Sequence, residues 1–180
     1  NDLAGEVVEV GSGVTRFKPG DRILGHALSM DPNVNKNSEG SFQEYTVVRA
    51  NMASPIPDTL SYEEACVLPL GLSTAACALF QTDTLALNYP DASVTALGNS
   101  KKTENEVLVI WGGSSSVGCN AIQLATAAGY DVLTTASPKN FEFVISLGAT
   151  QVFDYRSKTV ITDILKALEG KKSVGAIAIG

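Results

Sequence analysis

Gly113, Ser115 and Gly118 stand at the spacing of a turn that grips phosphate. They lie in "VLVIWGGSSSVGCNAIQLATAAG", residues 107–129: an apolar run, a Gly/Ser turn, then an amphipathic stretch. In a dinucleotide-binding turn the first glycine makes the bend. The second lets the backbone approach a pyrophosphate, and the third lets the helix pack on the strand. Gly113 and Gly118 keep the outer roles. Ser115 takes the middle one, losing some clearance but adding a hydroxyl that can hydrogen-bond a phosphate. Ser114, Ser115 and Ser116 together set hydroxyl and N–H groups at a helix N-terminus, where the dipole favours an anion. The competing reading is a capped Gly/Ser turn with no ligand. The strand before it, the helix after it and the repeat that follows favour a cofactor site.

The kind of cofactor follows from the end of the next strand. An NAD site carries Asp or Glu there, about 20 residues past the loop, on the ribose hydroxyls. In "DVLTTASPKN" the only carboxylate, Asp131, is at the wrong end. Ala136, Ser137 and Lys139 occupy the positions in question. A carboxylate would repel a 2′-phosphate, whereas Ser137 and Lys139 would bind one. Tyr155, after the third strand, is placed to close over the adenosine end. These residues predict NADPH. A plainer reading also exists: Ser137-Pro138 is a good helix start, and Lys139 could be a solvated charge.

Those residues need elements to hold them. From residue 106 onward strand and helix alternate. The pattern predicts strands at 107–111, 132–136, 151–154 and 174–179, and helices at 116–128, 138–147 and 159–168. Short apolar strands between amphipathic helices imply a parallel sheet covered on both faces, a doubly wound half-sheet. Residues 3–54 differ. "AGEVVEVGSGV", "DRILG" and "FQEYTVV" alternate like half-buried strands between glycine turns, predicting an antiparallel β region. "SPIPDTLSYEEACVLPLGLSTAACALF" then turns helical, with Ser61 and Glu64 at capping-box spacing. "NYPDASVTALGNSKKTENE" reads as a surface loop.

Composition narrows the class. A length of 180 residues with 44% hydrophobic content suits one core or two small domains. A net charge of −6 without a basic run argues against nucleic acid and anionic membranes as partners. No run of 18 apolar residues is present, which predicts no bilayer span. Cys66, Cys77 and Cys119 are odd in number and widely spaced, which suits a reducing, cytoplasmic setting. The chain opens at Asn1 on a strand, shows no signal peptide, and stops after a fourth strand. We expect both ends to be cut from a longer polypeptide, and the isolated chain to be a poor catalyst.

The ordered set "DLAGEVVEVGSGVTRFKPGDRI", "GSFQEYTVV", "LSYEEACVLPLGLSTAACALF", "GGSSSVGCNAIQLA" and "TTASPKNFEFVISLGATQVFDYRS" covers nearly the whole chain. It resembles the zinc-independent medium-chain dehydrogenase/reductases, the quinone and enoyl reductases, most closely the fungal trans-acting enoyl reductases of polyketide synthesis. The resemblance implies an α/β fold: a GroES-like antiparallel β domain over 1–58 and a Rossmann domain over 59–180, both partial. It implies that Ser114, Ser115, Ser116 and Val117, then Ser137, Pro138, Lys139 and Asn140, and Tyr155 contact NADPH. Thr74 would lie near the nicotinamide end. A small-molecule or carrier-bound acyl substrate, and a polyketide synthase as partner, are implied as well.

Zinc-dependent relatives carry a His-Glu pair before the "AG" turn and a Cys before the "GFST"-like segment. Asn1-Asp2 and Leu70 stand at those places here, and the four-cysteine structural lobe is absent. No metal site is expected. His26, the only histidine, reads as a solvated loop residue. Without a Lewis acid the chemistry that needs least help is hydride addition to a conjugated C=C bond, whose carbonyl delocalises the developing enolate. No residue is nominated as catalytic acid; Glu63 and Glu64 read as a solvated first helical turn. A quinone reductase of the same fold, a non-catalytic NADPH-binding protein and a non-functional truncated product are the alternatives.

Overall fold

The computed structural model describes residues 1–91 and 104–179. Most of the expected surface loop, 92–103, lies outside the described residues. Two compact units are present, Asn1–Gly71 and Leu72–Gly180.

In the first unit β1 (Asp2–Glu6), β2 (Arg22–His26) and β3 (Ala53–Pro55) form an antiparallel sheet in that order. Asp2 pairs with His26 and Ile23 with Pro55. Gly25 keeps β2 close to its surroundings: a Cβ there would lie 3.0 Å from Val48 Cγ2 and 3.2 Å from the Met52 carbonyl oxygen. Arg22 ties the sheet to the following segment, donating to the carbonyls of Pro57 (3.1 Å) and Leu60 (2.7 Å) and stacking over Tyr62. The strand expected in "FQEYTVV" does not form. Its alternation demands a partner ladder, and among the described residues none pairs with it. Side chains hold this segment instead: Gln43 Nε2 donates to the carbonyls of Asn37, Ser38 and Gly40, and Thr46 Oγ1 donates to Gly40. Phe42 and Tyr45 are left exposed.

The helical stretch forms as two pieces, α1 (Tyr62–Ala65) and α2 (Pro69–Phe80). Ser61 and Glu64 make the reciprocal capping box that their spacing predicts. Tyr62–Phe80, 19 residues with a mean hydropathy of 1.3 over 18 of them, is by length and composition alone long and apolar enough to cross a membrane. The packing of its second half is that of a core helix, because Ala75, Leu79 and Phe80 are buried in a hydrophobic cluster.

In the second unit β4 (Glu106–Trp111), β5 (Asp131–Ala136), β6 (Gln151–Asp154) and β7 (Lys172–Ala178) run parallel in the order β6-β5-β4-β7. They alternate with α3 (Ser116–Ala127), α4 (Phe141–Ser146) and α5 (Val160–Ala167). This is the α/β sheet the periodicity predicts, displaced by at most two residues at its strand ends. The helix expected from residue 138 begins instead as a 3₁₀ turn, Pro138–Asn140, before α4. Leu108, Ile110, Val132, Ile122 of α3 and Val144 of α4 share one core. Alternation turns Val107 and Leu133 to the other face, and both are fully buried. A register shift between Val107 and Leu108 leaves Val174 of β7 as the extra residue, and the Gly175 that follows has a φ of 139°, a conformation that favours glycine.

Candidate cofactor site

Parallel strands deliver their carboxyl ends to one edge of a sheet. β4 runs into Gly112 and the serines, β5 into Ser137 and the 3₁₀ turn, and β6 into Tyr155. The register fixes their alignment: Ile110 is opposite Thr134, and Ala136 is opposite Asp154. The three segments singled out from sequence therefore lie along one edge on three neighbouring strands. Thr74 is not on one of these strands; it is exposed in the second turn of α2.

Two threonines of β5 hold the first turn. Gly112 N–H donates to Thr135 Oγ1 (3.0 Å) and Gly113 N–H to the Thr135 carbonyl (2.9 Å). Thr134 Oγ1 donates to the Ile110 carbonyl at 2.7 Å. Both threonines are fully buried, so these bonds remove polar groups that would otherwise be costly to bury. Gly112 has φ 89°, and a Cβ on it would meet the Ile179 carbonyl oxygen at 2.7 Å. A Cβ on Gly113 would lie 2.1 Å from Thr134 Oγ1, and one on Gly118 2.2 Å from the Gly112 carbonyl oxygen. Sequence reasoning missed Gly112 and Thr135. The Gly-Gly pair was a signal for the first, whereas the second is visible only once β5 lies beside β4.

Ser115 is the N-cap of α3. Its Oγ accepts from Gly118 N–H (3.1 Å) and donates to the Gly112 carbonyl (2.8 Å). The hydroxyl expected to face a phosphate is thus engaged in closing the turn. The N–H groups of Ser114, Ser116 and Val117 have no protein partner among the described residues. Three free donors at the start of a 12-residue helix form a concave positive surface suited to an anion. Behind them Cys119 Sγ points to the Gly113 carbonyl at 3.5 Å, and burial pushes its thiol above the usual range, which makes it a poor nucleophile.

At the second segment Ser137 begins the 3₁₀ turn with extended backbone, and its side chain makes no capping bond. Pro138 takes the first helical position and is exposed, as is Lys139; Asn140 is half-buried. Tyr155 is 47% exposed, with the Arg156 guanidinium 5.4 Å from its ring centroid. The edge thus combines free N–H donors, a free hydroxyl, an exposed ammonium and an aromatic face. That donor set fits a dinucleotide with phosphate at both its pyrophosphate and its adenosine end.

In the first unit Asp2 Oδ1 accepts from Leu70 N–H (2.9 Å) and faces His26 Nδ1 at 3.3 Å. His26 is therefore not the solvated loop residue expected from sequence. It is the last residue of β2, its side chain 22% exposed, because strand pairing sets it opposite Asp2. Among the described residues no three His, Cys, Asp or Glu side chains converge.

A glycine-gated turn on a parallel sheet, carried with an antiparallel β unit, defines the alcohol-dehydrogenase type of chain. Residues 1–58 match the alcohol dehydrogenase GroES-like domain. The whole chain is 54% identical over 180 residues to the dehydrogenase pigH of Monascus ruber, covering 47% of that protein. It is 46% identical over 168 residues to the trans-enoyl reductase himH of Aspergillus japonicus, with 93% of this chain and 46% of that one covered. Mycobacterial Rv1454c, solved in complex with NADPH, superposes with a TM-score of 0.64 at 25% identity, covering 94% of this chain and 45% of its own. The chain belongs to the medium-chain dehydrogenase/reductase superfamily and spans about half the length of the relatives it matches.

Proposed function

We propose that the protein is an oxidoreductase that uses NADPH to reduce an activated C=C bond, in an enoyl thioester or enone, without zinc. The observation that carries the cofactor reading is the end of β5. Where an NAD site needs a carboxylate, the chain has Ser137 with an uncapped hydroxyl and exposed Lys139. The free N–H groups of Ser114, Ser116 and Val117 would hold the pyrophosphate, with Gly113 and Ser115 shaping the turn beneath it. Ser137 and Lys139 would hold the 2′-phosphate, flanked by Pro138 and Asn140, and Tyr155 would cover the adenosine end. Thr74 would serve the nicotinamide end. The cofactor supplies a hydride when bound; these residues bind it, orient it and select it.

The substrate class is supported by a relative named trans-enoyl reductase. Asn1 and Leu70 stand where zinc-dependent relatives carry His and Cys, and the Asp2 carboxylate accepts from Leu70 N–H. These residues support a zinc-independent reaction. A cytoplasmic location and a carrier-bound acyl substrate supplied by a polyketide synthase complete the reading. It is tested by following NADPH oxidation by the full-length protein with an enoyl thioester and, separately, with a quinone, alongside metal analysis. Turnover of the thioester with well under one Zn²⁺ per chain is expected. Turnover of the quinone alone, or one tightly held zinc, overturns the corresponding part.

A further inference from the structure

We propose that Arg156 is a second cation for the 2′-phosphate and that, by neutralising Asp154, it shields that phosphate from the carboxylate; the inference rests on the NADPH reading above. Sequence alone drew attention to the missing carboxylate at the end of β5. The structure shows a carboxylate one strand away. Asp154 ends β6 and is in register with Ala136, on strands about 4.8 Å apart. Left unpaired, it would bring negative charge to the edge where Ser137 and Lys139 stand. It would repel a 2′-phosphate and could accept from ribose hydroxyls.

Arg156 changes that. Its backbone N–H donates to Asp154 Oδ1 at 3.0 Å and its Nε to the same oxygen at 3.3 Å. Its guanidinium stacks over Tyr155, the residue assigned to the adenosine end. The two terminal nitrogens make no protein bond among the described residues, and the side chain is 59% exposed. The guanidinium is therefore anchored at Nε while its fork remains open. A planar fork with two free N–H-bearing nitrogens matches the geometry of a phosphate. An isolated surface ion pair contributes little to stability, so the value of this one lies in positioning.

The test is calorimetric binding of adenosine 2′,5′-bisphosphate and of AMP to wild type, Arg156→Gln and Asp154→Asn/Arg156→Gln. Arg156 is exposed, so the variants are expected to fold, as circular dichroism would report. Arg156→Gln is expected to bind the bisphosphate about tenfold more weakly and AMP within about twofold of wild type. The double variant is expected to recover part of that loss. If wild type prefers the bisphosphate and Arg156→Gln keeps that preference in full, the inference fails and the NADPH reading stands. Absence of recovery in the double variant removes the shielding role. Equal binding of both probes by wild type overturns the NADPH reading itself.

Discussion

Gly118 and Ser115 show how closely the turn is fitted. A Cβ at Gly118 would lie 2.2 Å from the Gly112 carbonyl oxygen and 2.8 Å from Gly113 Cα, both backbone atoms that cannot step aside. Gly118→Ala is expected to lift the start of α3 off β4, cost about 1–3 kcal/mol and abolish cofactor binding. Urea unfolding and an NADPH titration measure the two effects. Ser115 separates stability from binding. Ser115→Ala removes the cap on Gly118 N–H and should cost about 1 kcal/mol. Ser115→Asp can still cap, because Asp accepts from the same N–H, but it sets a carboxylate beside the pyrophosphate. Stability should hold while NADPH affinity collapses; an unchanged dissociation constant would place the phosphate elsewhere. The spacing of Gly113, Ser115 and Gly118 was legible in the sequence because turn and cap are local. Thr135 was not, because its bond to Gly112 joins residues 23 apart that only the pairing of β4 with β5 brings together.

Elements with local determinants were read correctly, and those needing a distant partner were not. The parallel strands were legible because each is a short apolar run next to its own helix. The box at α1 was legible from Ser61 and Glu64 alone. Residues 42–48 have a strand's alternation yet no ladder, because alternation describes two faces and not the neighbour that must pair. The box makes its own prediction. Ser61 N–H donates to Glu64 Oε2 at 3.0 Å, and this bond, with the one from the Ser61 side, holds the Glu64 carboxyl below its ordinary value of 4.5. A carboxyl with a depressed folded pKa adds stability above its unfolded value. That stability is lost as pH falls through the folded value. The stability difference between wild type and Glu64→Gln should thus be present above pH 4.5 and close below it. Acid titrations of the two proteins followed by circular dichroism check this. Lys172 behaves oppositely: its bond to Glu106 raises it above 10.5, so its contribution is present below pH 10.5 and fades above.

At the scale of the whole molecule, both units carry the folds that their sequence periods predict. The departures fall where the pattern was ambiguous. Residues 42–48 alternate like a strand without a ladder, and in Tyr62–Phe80 the burial of Ala75, Leu79 and Phe80 packs the second half into a hydrophobic cluster. The candidate cofactor edge gathers residues that follow three neighbouring strands, none adjacent in sequence. If NADPH binds there, it should protect the folded chain: at 100 times its dissociation constant a ligand adds about 2.7 kcal/mol, read as a rise in melting temperature. The most direct test is to titrate NADPH and NADH into wild type and Lys139→Ala, at low and high salt. A charge-assisted phosphate contact is worth about 1.5–3 kcal/mol. Wild type should prefer NADPH, and Lys139→Ala should weaken NADPH about ten- to hundredfold, less at high salt, while NADH barely changes. A parallel loss of both cofactors, or a wild type that already prefers NADH, would contradict the account.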